Sequence, residues 1–518
     1  MMNTKKKITI IGAGSVGTNT ALFLDKQGFD VTLLESTDDI LEGAPQATFI
    51  THGDGFEYHK AGHQKTGEYC IDGAIAKQLL YPASAFQSGV CGPGNPIRFM
   101  ISEDSLGKDG LTLDSFVANA EHMRSHFQKR FDAISEVRGA DAAKRLLMRT
   151  PETFARALQP EEYAECAHIA GGYAGSSTGI NMAHYYAFLK AALRASHVKP
   201  KFRQKIDSIE KNGDSYTITT STGEQIESDY IILAAGHCIP EISNKLADAK
   251  ISAEGTYYLN TMTFLKLPAT TDKEKINQVS HINFTLQQDG GCMFACVVPP
   301  TETEEGLAVV YYPSEKGSQF ARHIFDKSSH TPLPKEWDDY IKNGLPNNEP
   351  RVQAIMQQAE HLYPFLKDYA VVDKTICRTV FNAATQESDK GLDRRVRNII
   401  GADVLTDDNR VVAYRSPKWT NAELVALMAT DHAMQVLEGK ELSKDSSRGF
   451  GPTNIDVESI TGTLHFKDIK MQIEDALHYV RKHGLPERLV NPFSPEFAKS
   501  PQQTGIAPRE GWAKSASE

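Results

Sequence analysis

The chain has 518 residues, with 56 Lys and Arg against 66 Asp and Glu for a formal net charge of −10, and it is 40% hydrophobic and 24% charged. That composition belongs to a globular protein of two to four domains, at roughly 100–200 residues each, and excludes a small disulfide-stapled scaffold. The acidic balance and the lack of a long Lys/Arg tract argue against a nucleic-acid binder that works by phosphate neutralisation.

Seven cysteines, at 70, 91, 166, 238, 292, 296 and 377, form no Cys-x-x-Cys, which points to a reduced, cytoplasmic setting. The basic Met1–Lys7 leads into an apolar run, Ile8–Ile11, too short for a signal-peptide core, and no uncharged apolar stretch of ~20 residues could span a membrane. Peripheral membrane contact and oligomeric state stay open.

In chain order, Ile8–Ile11 is expected to be a short buried strand. Gly12-Ala13-Gly14-Ser15-Val16-Gly17 follows at once, then a helix over Thr18–Gln27 ended by Gly28, then a strand over Asp30–Glu35. In such a unit the first glycine permits the tight turn. The second lets backbone approach a pyrophosphate, and the third lets helix pack on strand. The helix N-terminus supplies N–H donors, and Glu35, with Ser36 beside it, can accept from a ribose diol. The carboxylate disfavours a 2′-phosphate, so NADP does not suit this site. Farther on, a helix is expected over Asn181–Ser196 and strands over Phe202–Ile209, Ser215–Thr220 and Glu227–Leu233, the last running into Ala234-Ala235-Gly236.

These segments together resemble the FAD-dependent D-amino-acid-oxidase-like superfamily, which includes glycine and sarcosine oxidases and glycerol-3-phosphate dehydrogenases. Gly179-Ile180-Asn181 is similar to the family's opening of its middle helix, and Lys205-Ile206 to the strand that passes near the adenine. Ala234-Ala235-Gly236 is similar to the strand end that approaches the pyrophosphate. Lys418-Trp419-Thr420 resembles the turn of glycerol-3-phosphate dehydrogenases that covers the flavin pyrimidine ring, although Ser416-Pro417 and Asn421 depart from the pattern.

The resemblance implies FAD as cofactor and an α/β fold, a discontinuous Rossmann-like FAD domain with an inserted α+β substrate domain on a mainly antiparallel sheet. The expected division is 1–90, 171–242 and 372–438 for FAD, 91–170 and 243–371 for substrate, and 439–518 for a linker, an amphipathic helix over Phe466–Lys482 and a tail. No second Gly-x-Gly-x-x-Gly follows a strand, so a separate NAD(P)H domain is not expected.

Hydride transfer needs a clamped anionic substrate, and arginine's fork suits a carboxylate or phosphate. Arg378 resembles the substrate-facing arginine of the family, with Arg394 and Arg395 as alternatives. The segment Gly43–Gly55, with Thr48, Thr51 and His52, is similar to the stretch that passes the flavin, where some sarcosine and dimethylglycine enzymes attach FAD through a histidine. His52 and His281 are the candidate bases. A zinc site from His52, His59, His63 and Cys70 is not expected, because Gly53, Gly55, Gly62 and Gly67 oppose the helix it needs.

The expected reaction moves a hydride from a small anionic amine, amino acid or hydroxy compound to FAD and on to oxygen or a quinone. The alternatives are a malate:quinone-oxidoreductase-like enzyme, suggested by Arg98-Phe99-Met100 before Glu103-Asp104, and a non-catalytic FAD-binding protein.

Overall fold

The computed structural model describes residues 5–42, 64–80, 97–107, 111–147, 149–175, 182–247, 255–266, 282–288, 292–298, 307–311, 322–325, 334–369, 371–383, 401–415 and 419–438. The chain opens with β1 (Lys7–Ile11), α1 (Ser15–Lys26) and β2 (Asp30–Leu34). After α2 (Gln64–Leu80) come β3 (Ile97–Ser102), α3 (Leu113–Arg138), α4 (Ala140–Leu147), α5 (Pro151–Phe154), β4 (Ala155–Ala157) and β5 (Ile169–Gly175). The middle third holds α6 (Met182–Ala195), β6 (Lys199–Lys201), β7 (Ile206–Asn212), β8 (Ser215–Thr220), β9 (Gln225–Ser228), β10 (Tyr230–Leu233) and α7 (Ile239–Ser243). It is followed by β11 (Gly255–Lys266), β12 (Ile282–Leu286), β13 (Cys292–Val298), β14 (Leu307–Tyr311) and β15 (Arg322–Phe325). The last elements are α8 (Lys335–Asn343), α9 (Pro350–Leu362), β16 (Val371–Ala383), β17 (Gly401–Val404), β18 (Val411–Arg415) and α10 (Ala422–Leu437).

One sheet runs β17-β18-β10-β1-β2-β6 and is parallel except at the β17–β18 edge. Its strands are buried on both faces, as a parallel sheet requires. Ile8, Ile10, Val31 and Leu33 pack with Ala21, Leu22 and Leu24 of α1 and with Leu424, Leu427 and Met428 of α10. The alternate residues Ile11, Leu34, Ile231 and Leu233 face Ile206, Ile209 and Ile218 of the β7-β8-β9 sheet. Each such side chain contributes about 1.5–3 kcal/mol by leaving water.

The largest sheet runs β15-β11-β14-β13-β12-β3-β5-β4, with β16 on the other edge of β11; it is antiparallel except where β12 meets β3. One face joins the core that holds β1 and α1, through Ile97, Phe99, Met262, Phe264 and Phe294. The other, through Met100, Leu265, Met293, Ala295 and Val310, lies on α9 and the 3-10 turn Pro364–Tyr369.

Several expectations change. Glu227–Leu233 is two strands: the chain breaks at Asp229, whose N–H donates to Lys7 O and whose carboxylate accepts from Lys7 N, so β9 joins the small sheet and β10 the parallel one. The strand expected over Phe202–Ile209 starts only at Ile206, because Lys199–Lys201 is separately drawn to the edge of β2. Gly67, read as opposing a helix, lies inside α2. Its cost of ~1 kcal/mol relative to Ala is outweighed by burial of Cys70, Ile71, Ala74 and Ile75.

Two segments grouped with the FAD domain, Gly171–Gly175 and Val371–Ala383, are strands of the largest sheet. The first pairs with β3 and the second runs along all of β11. The amphipathic segment Phe466–Lys482 lies outside the described residues.

Candidate functional site

The site forms where β1, β2 and β10 end together. The three glycines of the turn do different work. Gly12 has φ of +104°, and a β-carbon there would meet Ala235 Cα at 2.7 Å and the Ala234 carbonyl at 2.8 Å, so it permits both the turn and the approach of the strand-end residues. On Gly17 a β-carbon would overlap the carbonyl oxygen of Gly12, so this glycine lets α1 seat against the turn. Gly14 has ordinary φ and nothing within 4 Å of where a β-carbon would sit, leaving a cradle open above its backbone.

Gly14 caps α1 without a side-chain bond, so the first-turn N–H groups, Ser15 and Val16 among them, converge on that cradle. Ser15 Oγ is buried with no hydrogen-bond partner among the described residues.

Glu35, one residue past β2, accepts from Ala13 N at 2.8 Å through Oε2. Through Oε1 it accepts from Ser36 N at 2.7 Å, Ser36 Oγ at 3.1 Å and Thr37 N at 3.1 Å. The carboxylate therefore ties the end of β2 to the glycine turn before meeting any ligand. Its backbone is bracketed by Lys201 O and Gln204 N. Ile206, two residues on, is buried between the β7-β8-β9 sheet and the parallel sheet, in one cluster with Ile11, Leu34 and Leu233. Ala234 N donates to Ile11 O at 2.8 Å, and Gly236, with φ of +56°, opens a 3-10 turn, Gly236–Cys238, against which β16 passes.

Trp419–Asn421 is a 3-10 turn leading into α10, which packs along α1. Thr420 and Asn421 are buried, and both side-chain atoms of the Asn421 amide lack hydrogen-bond partners among the described residues. Unsatisfied buried amide atoms are costly, at ~1–3 kcal/mol each, and are expected where a ligand completes them.

Sequence reasoning missed the group beneath this turn. Lys77 of α2 reaches Glu423 Oε1 at 2.7 Å with both side chains fully buried, and its Nζ lies 3.4 Å from the centroid of the Trp419 ring and 4.5 Å from that of Tyr185. The Tyr185 hydroxyl donates to the same carboxylate oxygen. Asn19 Nδ2 donates to Tyr185 Oη at 3.1 Å and to Ser15 O at 2.7 Å. Burial, opposed by Glu423, pulls the Lys77 ammonium down to about 8. The sequence signal was weak: Lys77 follows the apolar run Gly73–Ala76 of α2, and Glu423 precedes the apolar run Leu424–Ala429 of α10.

Register and alternation place position 378, paired with Asn260, on the same sheet face as Ile376, which pairs with Met262. On that face a row of aromatic residues crosses five strands in direct register: Tyr311, Phe294, Phe284, Phe99 and Tyr173. Phe99 and Phe284 stack at 5.0 Å, and Phe284 meets Phe294 edge-on at 4.8 Å. Arg98, on the opposite face, is buried against Asn283, Glu162 O and Glu165. Thr48, Thr51, His52, His281, Arg394, Arg395 and Lys418 lie outside the described residues.

A glycine-cradled helix N-terminus at the C-terminal edge of a parallel sheet, backed by a large antiparallel sheet, defines a dinucleotide-dependent enzyme class. Residues 7–400 match the family described as FAD dependent oxidoreductase (DAO), and the chain belongs to that family. It is an FAD-dependent oxidoreductase, and the open cradle at Gly14 and the orphaned atoms of Ser15 and Asn421 fit that cofactor.

Glycine oxidase from Geobacillus kaustophilus is 11% identical at a TM-score of 0.50, over 86% of this chain and 99% of that one. The FAD-bound, dithionite-reduced L-alpha-glycerophosphate oxidase from Mycoplasma pneumoniae is 16% identical at 0.52, over 86% and 98%. L-Proline dehydrogenase from P. horikoshii is 12% identical at 0.53, over 84% and 94%. At such identities the likeness is one of fold. No curated protein matches the chain. Among the described residues no helix is long and apolar enough to cross a membrane.

Proposed function

We propose that the enzyme oxidises a small amino-acid-like or amine substrate carrying one anionic group and an apolar remainder, and passes the electrons to oxygen or a quinone in the cytoplasm. The observation that carries this reading is that position 378 shares a sheet face with the aromatic row, the face that joins the core holding β1 and α1. An arginine at position 378, on the sheet face that carries the aromatic row, suits a monocarboxylate with a hydrocarbon body better than a polyol phosphate or a dicarboxylate such as malate.

In this reading Gly12, Gly14, Ser15, Val16 and Gly17 hold the FAD diphosphate by backbone and hydroxyl donors, with Ala234, Ala235 and Gly236 closing its other side. Glu35 and Ser36 take the ribose, and the backbone near Ile206 borders the adenine. Thr48, Thr51 and His52 flank the ring, and Lys418, Trp419 and Thr420 cover its pyrimidine end. FAD supplies the hydride acceptor. Arg378 fixes the substrate anion so that its C–H is presented in one orientation, and His52 takes the amine proton. The strands Gly171–Gly175 and Val371–Ala383 belong in this division to the substrate domain and not to the FAD domain.

The test is anaerobic mixing of the holoenzyme with amino acids, N-alkyl amino acids, 2-hydroxy acids and glycerol 3-phosphate, read as loss of visible flavin absorbance. Bleaching by apolar amino or imino acids is expected, and bleaching by hydroxy compounds alone would refute the substrate class. Arg378→Leu should lower kcat/KM by about 10- to 100-fold with FAD content unchanged. Full bleaching rates in that variant would remove Arg378 from the site.

A further inference from the structure

We propose that Lys77 is a positioning residue for FAD: its buried ammonium, held by Glu423 and seated on the Trp419 ring, fixes the Trp419–Asn421 turn in the position from which it closes over the cofactor. This rests on FAD binding by the chain and is independent of the substrate reading.

The geometry ties both ends of the site to this one charge. From Ser15 O, at the start of the diphosphate-cradling helix, hydrogen bonds run through Asn19 and Tyr185 to Glu423. Lys77 closes the chain from α2, the helix that follows the segment carrying Thr48, Thr51 and His52. One turn before Lys77, Gly73 presses on the same 3-10 turn: a β-carbon there would sit 2.7 Å from Thr420 O and overlap Asn421 Oδ1. Gly73 and Lys77, four residues apart, therefore make one face of α2 that shapes the turn, the glycine by close approach and the lysine by charge.

Asn421, whose amide is buried and unsatisfied among the described residues, is the group this arrangement aims. A solely structural ion pair has no need to sit against an unsatisfied amide, and replacing such a pair with apolar groups is often neutral for stability.

Among the described residues the charged group paired with Lys77 is Glu423, and the Tyr185 hydroxyl, itself held by Asn19, donates to that carboxylate. The groups of α3 that meet α2 are engaged elsewhere: His122 with Glu68, and His126 and Arg130 with Asp72. On α4, Asp141 and Lys144 are exposed. FAD is anionic, so binding it strengthens the hold of Lys77 on its proton. By linkage the affinity is full below the value of about 8 that Lys77 has without FAD, and falls as pH rises through the higher value it has with FAD.

The experiment follows FAD released from diluted holoenzyme, by its fluorescence, over about two pH units either side of 8. The wild-type protein should lose affinity with an inflection above pH 8, by up to about tenfold per unit. Lys77→Arg, which keeps its charge, should bind FAD without that inflection. The double variant Lys77→Met with Glu423→Leu, which removes both charges together, should fold, bind FAD about tenfold more weakly and show a flat profile. A flat wild-type profile, an unchanged inflection in Lys77→Arg, or full affinity in the double variant would each overturn the proposal. None of these readouts depends on turnover, so a wrong substrate leaves them intact.

Discussion

Substituting alanine at Gly14 and at Gly17 separates cofactor binding from folding. At Gly14 the backbone sits at φ −70° with ψ −174°, which alanine adopts freely, and a β-carbon would touch nothing within 4 Å. Alanine restricts the unfolded chain, a gain of ~0.4–1 kcal/mol, and is a poorer N-cap than glycine by a similar amount. The thermal midpoint of the FAD-free protein should therefore stay within error of wild type, while the methyl group fills the cradle and weakens FAD by at least about tenfold.

At Gly17 the same methyl group overlaps Gly12 O and lies 3.1 Å from Gly12 C and 3.3 Å from Ala234 Cβ. These are backbone and packed atoms, so α1 must back away by roughly 1 Å, at ~1–3 kcal/mol or more. Gly17→Ala should lower stability in the FAD-free protein as well. Urea unfolding of both FAD-free variants, set beside FAD titration, gives the two quantities. If Gly14→Ala is as destabilised as Gly17→Ala, or binds FAD as wild type does, the assignment of the cradle is wrong.

Gly73→Ala should disturb the Trp419–Asn421 turn, costing ~1–3 kcal/mol in urea unfolding and weakening FAD together; FAD retained at wild-type affinity would show that the turn is not part of the site. Burial holds the His432 imidazole down at about 4, where it meets the Tyr414 hydroxyl at 3.0 Å. The unfolded chain protonates near 6.5 and the folded one does not, so stability is full above that value. It falls by up to about 3 kcal/mol on descending to pH 4. His432→Gln should flatten the thermal midpoint over that interval, and an unchanged slope would assign the loss to other groups. Arg98→Met removes the buried hydrogen bonds that Arg98 donates to Asn283 Oδ1 and the Glu162 carbonyl and should cost ~2–4 kcal/mol by urea unfolding; a loss below the scatter of replicate curves would count against that network.

Local pattern was enough for the strand-turn-helix-strand opening, because Ile8–Ile11, the three glycines, α1 and Glu35 carry their instructions within 35 residues. It was also enough for elements with strong periodicity, such as α6 and β8. It failed for β6, whose Lys-Pro-Lys is extended because β2 offers an edge, and for the β9–β10 boundary, where an aspartate binds back to Lys7. It failed also for α2, whose glycines argue against a helix until a packed face outweighs them.

The sequence alone determined the cofactor class, since a backbone cradle for a diphosphate is written in glycine spacing and flanking strands. Tertiary structure decided which sheet claims Val371–Ala383, and so which face carries position 378. It also brought Lys77 to Glu423, 346 residues away in the chain. The physical reason is that strand edges and buried charges are satisfied by whichever partner the fold brings near, and neither leaves a local period to read.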